Sequence, residues 1–292
     1  MTAMPDIRIG EVTVSAVFEF EHQNKVPEDF FIGATRPVVD AHYRDMPKVF
    51  FNAETGAFTM TFQSFLVRTP RHNILVDTCY GHGKFATAWD TSVWAENLRR
   101  LGVDFADIDF VFCTHLHVDH TGWNTTREGD RWIPTFPNAK YIFSRVEYEY
   151  WAEVARTGEV PPRQRDGVWQ VNCLPIVEAN QAIMIDDHYE IDDTVSIIPT
   201  PGHSPGHYCV SIHSSGMEAI ALGDLIHHPL QCREPTWSTW FCWDPELATR
   251  SRLRILNHAA DQGAILLPVH FPAPTAGTVH RDGEAFQYRL LG

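Results

Sequence analysis

Short apolar strand patterns alternate with helical patterns through both halves of the chain, with no linker between the halves, and this predicts one layered α/β domain spanning residues 1–292. The composition agrees: 44% of the 292 residues are hydrophobic and 21% charged, enough apolar material for a large core and too much for disorder. Taken in order, residues 7–20 are apolar and β-branched with partial alternation, a strand pattern. Residues 21–52 have weak periodicity and aromatics at Phe30, Phe31, Phe50 and Phe51, so they read as an irregular lid or pocket wall, with a plain surface excursion as the alternative. Strands follow at 58–68 and 73–77. A helix is expected over 92–101, with Ser92 as N-cap and Gly102 as its stop. The run 109–113 is a short buried strand, 125–131 a loop, 140–143 a strand and 144–156 a helix. The second half gives strands at 195–199, 208–213 and 219–222, a helix at 245–262 and a last strand at 264–268.

Charge narrows the function classes. Lys plus Arg is 23 against 37 Asp plus Glu, a net charge of −14, and no basic cluster interrupts it, so no nucleic-acid partner is expected. Nor is a membrane partner, since no stretch approaches the ~18 to 20 apolar residues of a span. Residues 1–10 lack a basic and then apolar leader pattern, which reads as a cytoplasmic protein. The six cysteines (Cys79, Cys113, Cys173, Cys209, Cys232, Cys242) are widely spaced and read as reduced thiols rather than metal ligands. Sixteen histidines against four lysines is the informative imbalance.

The strand at 109–113 runs straight into Thr114-His115-Leu116-His117-Val118-Asp119-His120-Thr121-Gly122. On an extended backbone His115 and His117 share a face, and a following turn can aim Asp119 and His120 back at the same point. Imidazole and carboxylate are the ligands that divalent first-row metals take without thiolate, and burying this set without a cation is expensive. A chance His-rich surface turn is the bland alternative. Two ions need more ligands, and three candidates follow strand patterns. His203 sits in Thr200-Pro201-Gly202-His203-Ser204-Pro205-Gly206-His207, which alone is ordinary turn chemistry; Asp224 ends Ala221-Leu222-Gly223-Asp224, where a helix N-cap is the commoner role; His270, in Pro268-Val269-His270-Phe271-Pro272, would alone be structural. Their order lifts all three.

That order, H-x-H-x-D-H, then G-H-x-P-G-H, then G-D, then a late His after an apolar strand, resembles the metallo-β-lactamase superfamily over most of the chain, from Asp77 to His270. Residues 223–231 and the ending at 268–272 are most similar to the N-acyl-homoserine lactonase and methyl-parathion-hydrolase-like branch. The resemblance implies a four-layer αββα sandwich with a dinuclear site in a cleft along the sheets' edge. It further implies that His115, His117 and His203 hold one metal, that Asp119, His120 and His270 hold the other, and that Asp224 bridges. The lactonases usually carry a Tyr three residues after the bridging Asp; here it is His227, which either polarises the substrate carbonyl in its place or marks a different substrate. The usual Asp-Thr-Gly of the early turn is Asp77-Thr78-Cys79.

The expected function is a dinuclear metal-dependent hydrolase using a metal-bridging hydroxide to cleave a small-molecule ester, lactone or phosphotriester. The metals are two divalent ions, zinc by default, with Mn, Fe or Co also suited to nitrogen and oxygen donors. Asp119 is assigned as proton shuttle, and Asp77 as the carboxylate that fixes a ligand imidazole's tautomer, with a turn cap as its alternative. Trp123, Trp237, Trp240, Phe241, Trp243 and Phe271 are candidate pocket walls, with plain packing as their alternative. His207, His213 and His228 are read as structural or as supports to the ligands. The competing functions are a mononuclear iron persulfide dioxygenase of the same superfamily, a nuclease, which the charge disfavours, and a non-catalytic binding protein on this fold. A homodimer stays open.

Overall fold

The computed structural model describes residues 4–85 and 87–291. Its first half gives strands β1 (Ile7–Ile9), β2 (Val12–Lys25), β3 (Phe58–Arg68), β4 (Asn73–Val76), β5 (Phe110–Phe112), β6 (Thr125–Glu128), β7 (Arg131–Pro134), β8 (Lys140–Ser144) and β9 (Ala182–Ile185). The second half gives β10 (Glu190–Asp192), β11 (Val195–Pro199), β12 (Tyr208–Ser214), β13 (Met217–Ala221), β14 (Ile265–Leu267), β15 (Gly277–Asp282) and β16 (Ala285–Leu290). The helices are α1 (Pro27–Phe30), α2 (Arg36–Tyr43), α3 (Val93–Arg100), α4 (Val118–Thr121), α5 (Arg145–Thr157), α6 (Leu174–Glu178), α7 (Leu230–Arg233) and α8 (Pro245–Gln262). Two seven-stranded sheets result, ordered β1-β2-β3-β4-β5-β8-β9 and β10 through β16 in sequence.

The period-two alternation of the strands builds the layers. Ile74, Val76, Phe112 and Ile142 of the first sheet meet Val210, Ile212, Ala219 and Leu267 of the second in a shared apolar core. The intervening Leu75, Val111, Tyr141 and Phe143 face the other way, against Trp94 and Leu98 of α3, Trp151 of α5 and Ile176 of α6. On the far side Cys209, Ile220 and Leu266 face Ile255, Leu256 and Ala259 of α8. Strands buried on both faces are why these segments read as continuous apolar runs. The architecture is αββα. The ends of α8 follow its sequence: Asp244 accepts from Leu247 N at 2.9 Å, and Gly263 closes the helix at φ 68°.

Several expectations need correction. The strand pattern 7–20 is two strands, broken at Gly10, whose φ of 57° makes the turn, and the second runs on to Lys25. Residues 21–52 are not irregular: they finish β2 and then form α1, α2 and a short 3-10 turn at Lys48–Phe50. Their short helices carry too few turns to show a period. Residues 125–131 belong to the β6–β7 hairpin rather than to a loop. Ser92 caps nothing; its hydroxyl donates to Asp90 at 2.6 Å. No helix among the described residues is long and apolar enough to cross a membrane. The leader pattern looked for in 1–10 falls partly on residues 1–3, outside the described residues.

Candidate metal centre

The strand geometry gathers the predicted ligands at one edge. β4 and β5 run parallel, as do β13 and β14. The turns after β4 (Asp77), β5 (His115 to His120), β11 (His203), β13 (Asp224) and β14 (His270) open at a common end of the sandwich. The first motif is reached differently from the sequence reading. β5 stops at Phe112, so His115 and His117 sit on a bent segment rather than an extended strand. Asp77 draws that segment off the ladder: its Oδ1 accepts from Thr114 N at 2.7 Å and its Oδ2 from Thr114 Oγ1 at 2.8 Å. Asp77 itself is left-handed, φ 60°. Asp119 and His120 then fall on α4.

Three groups of ligand atoms form. His115, His117, His203 and Asp224 make one, Asp119, His120 and His270 a second, and Asp224, His227 and His270 a third that shares members with them. In the first, His117 Nδ1 lies 2.9 Å from His115 Nε2 and 3.0 Å from His203 Nε2. Asp224 reaches the first two groups with different oxygens. Its Oδ2 is 3.1 Å from His203 Nε2, while its Oδ1 is 2.9 Å from His120 Nε2 and 2.9 Å from His270 Nε2. The six histidine and carboxylate side chains other than Asp119 are buried; Asp119 keeps 17% of its side chain exposed, 3.7 Å from His120 Nε2 and 3.8 Å from His270 Nε2.

The set fits divalent cations. Three imidazole nitrogens that converge at hydrogen-bonding distance can share few protons among themselves, whereas one cation satisfies all three. His120 Nε2 is fully buried and, although close to Asp224, lacks the alignment of a hydrogen bond. Burial and neighbouring imidazoles hold His115 and His117 well below the usual histidine range, in the neutral form that coordinates metal. Burial opposes the charge on Asp224, but His120, His227, His270 and His203 prevail and hold its carboxyl well below the usual range.

The outward nitrogens of the ligands are held as well. His120 Nδ1 meets Asp77 Oδ2 at 2.8 Å; His115 Nδ1 meets Thr114 Oγ1 at 3.1 Å, and that hydroxyl donates on to Asp77. His270 Nδ1 donates to Thr61 O at 2.9 Å, and His203 Nδ1 lies 3.7 Å from Cys242 Sγ. Each contact fixes a tautomer and a ring plane. His207 is a positioning residue for Asp224: its Nε2 accepts from Asp224 N at 3.0 Å while Nδ1 meets Thr200 Oγ1 at 2.8 Å, and burial pushes it down to about 3, keeping it neutral. His228 pairs with Phe50 O at 3.0 Å, and His213 with Glu218 on the surface.

His227 stands over the cluster. Its Nε2 is 3.0 Å from Asp224 Oδ2, its ring stacks on His270 at 5.3 Å, and burial holds it down to about 4. It lines a cavity of about 640 Å³ together with His117, Asp119, His203 and Asp224, walled by Phe30, Phe62, Trp89 and Phe241. Three of the expected wall residues are elsewhere. Trp123 is buried against Trp94 and donates to Glu19, Trp237 stacks on Phe31 in the core, and Phe271 packs between Phe50 and Tyr288. Trp240 lines a smaller adjoining cavity of about 240 Å³ that also touches His117 and His203. Each misplaced aromatic follows a site motif in sequence, but the backbone turns it inward.

Two buried carboxylates escaped the sequence reading. Glu147 on α5 accepts from Leu116 N (3.2 Å), Trp151 Nε1 (2.7 Å) and Gly206 N (2.9 Å), tying together the loops that carry His117 and His203. Glu19 on β2 accepts from Tyr80 N, Gly81 N and Trp123 Nε1, while burial pushes its carboxyl up to about 8. Glu19 was marked only as a carboxylate within an apolar strand pattern, while Glu147 stands in the first turn of a helix, where acidic residues are common, and nothing local marked it.

An αββα sandwich with seven His and Asp side chains at one sheet edge defines a metal-centre protein of a recognisable class. The model of the metallo-beta-lactamase superfamily matches residues 63–275, and the chain belongs to that superfamily. It is 31% identical over 188 residues to the N-acyl homoserine lactonase AttM of Rhizobium radiobacter, covering 61% of this chain and 63% of that one. The enzyme of that name from Agrobacterium fabrum is 34% identical with the same coverage. The alignments thus span less than two thirds of these relatives' length. Among solved structures, AidC, described as a dizinc quorum-quenching lactonase, superposes with a TM-score of 0.83 at 22% identity over 99% of this chain and 98% of that one. The hydrolase AbOPH superposes with 0.81 at 20% identity, covering 100% and 98%.

Proposed function

We propose that the protein is a dinuclear metal-dependent hydrolase that cleaves a small lactone or ester, with a phosphotriester as a further substrate of the same chemistry. The observation that carries this is Asp224, whose two oxygens serve two different groups of imidazoles. His115, His117 and His203 would hold one cation, Asp119, His120 and His270 the other, with Asp224 between them; zinc is the first metal to test. Divalent cations so bound supply Lewis acidity and bring the pKa of water down from 15.7 to about 7.

The chain's own groups do the rest. Phe30, Phe62, Trp89 and Phe241 receive the apolar part of the substrate and exclude water from it. His227, in the cavity wall, holds its Nε2–H on Asp224 Oδ2, and for it to serve the carbonyl oxygen as charge develops there that N–H must turn from the carboxylate to the substrate. Asp119, the most exposed of the set, carries the proton to the leaving oxygen. The AttM relatives, named for N-acyl homoserine lactones, support the lactone choice.

The test is metal analysis of the purified protein beside hydrolysis of acyl-homoserine lactones, aliphatic lactones, aryl esters and phosphotriesters. Two equivalents of metal, with turnover lost on chelation and restored on reloading, are expected. One equivalent of iron, oxygen uptake with a persulfide and no hydrolysis would overturn the proposal.

A further inference from the structure

The same cavity carries a feature that metal chemistry does not use. Its lining also holds three cations, Lys25 at the end of β2 and Arg163 and Arg165 between α5 and α6. In a chain with only four lysines and a net charge of −14, three cations on one cavity call for an account. None is neutralised: among the described residues no carboxylate lies within 4.0 Å of any of them, although Asp166 lines the same cavity. Aromatic faces position the guanidiniums instead. Arg163 lies over Trp240 at 5.6 Å from the ring centre, and Arg165 over Phe85 at 5.4 Å. Stacking of this kind occupies the flat face of a guanidinium and leaves its edge N–H groups to donate, as Arg165 does toward the Tyr80 hydroxyl in the same cavity.

A planar fork of free N–H donors matches a carboxylate, and an uncompensated positive rim draws anions into a cleft. We infer that Lys25, Arg163 and Arg165 form a subsite for a carboxylate on the substrate. The substrate class is then an apolar ester or lactone with an anionic end: the apolar segment lies along Phe30, Phe62 and Trp89, the scissile carbonyl sits at the His/Asp cluster, and the carboxylate sits at the rim. This rests on the hydrolase proposal for the location of the scissile bond, but not for the anion subsite itself.

The metal-loaded protein can be given 4-nitrophenyl hexanoate and 4-nitrophenyl hydrogen adipate, which differ only in a terminal methyl or carboxylate. The adipate ester should be preferred in kcat/KM by about tenfold, and added salt should erode that preference. In a Lys25→Gln, Arg163→Gln, Arg165→Gln variant the ratio should fall toward one. Because both substrates are measured on one preparation, partial unfolding cannot mimic this result. A wild-type preference for hexanoate, or a ratio the variant does not change, overturns the subsite. Calorimetry with 4-phenylbutyrate and 4-phenylbutyramide separates this from the hydrolase proposal. Tighter carboxylate binding lost in the triple variant supports the rim even if neither ester is turned over. Equal affinities, or carboxylate binding that survives in the variant, overturn it.

Discussion

The floor of the cavity and its rim are built on opposite plans. On the floor, imidazoles are buried and the outward nitrogens of His115, His120, His203 and His270 each meet a named partner. On the rim, Lys25, Arg163 and Arg165 are exposed, on a strand end and a connecting segment, and the two guanidiniums lie over aromatic faces. The chemistry is held by hydrogen bonds that cannot shift without cost, while selection of the substrate is left to side chains that can be exchanged without disturbing a core.

Changes on the floor should alter turnover and metal retention, and those on the rim only the choice of substrate. The largest effect is expected of Asp119→Asn, which keeps the shape but removes the carboxylate proposed to carry the proton; hydrolysis of any true substrate should fall by roughly 10²- to 10⁴-fold, and wild-type rates would remove Asp119 from that role. Next comes Asp77→Ala. It frees His120 Nδ1 and strands Thr114, so affinity measured by chelator competition should fall about 10- to 100-fold. Unchanged affinity would mean that the ring planes are set by packing alone. The smallest is Cys242→Val, which removes the partner of His203 Nδ1; metal affinity should drop only a few-fold, about one hydrogen bond's worth, with Cys242→Ser restoring it. If serine rescues nothing, the thiol fills space and no more.

Much of the floor was legible in the sequence because it is local. Four ligands lie within His115 to His120, and the others follow apolar strands, so the motif and the strand pattern point to the same edge. The positioning groups were less legible. Asp77 announced itself as a carboxylate after a strand, but Glu147, Thr61 and His207 act through contacts between segments far apart in sequence, and no local spacing records them. The walls failed for a related reason. Trp123, Trp237 and Phe271 are near site motifs along the chain, yet one peptide turn decides whether a ring faces the cavity or the core. Phe30, in the stretch that showed no period, lines the cavity instead.

Glu147 joins loops that belong to different sheets, through Leu116 between His115 and His117 and through Gly206 three residues after His203. A carboxylate shared in this way makes the two loops a single mechanical unit, so neither swings out without stranding the other's amide in an apolar interior. Were cations held as proposed, their loss and separation of the two halves of the sandwich would be one concerted event, and binding energy gained at the edge would be felt through the whole body of the protein.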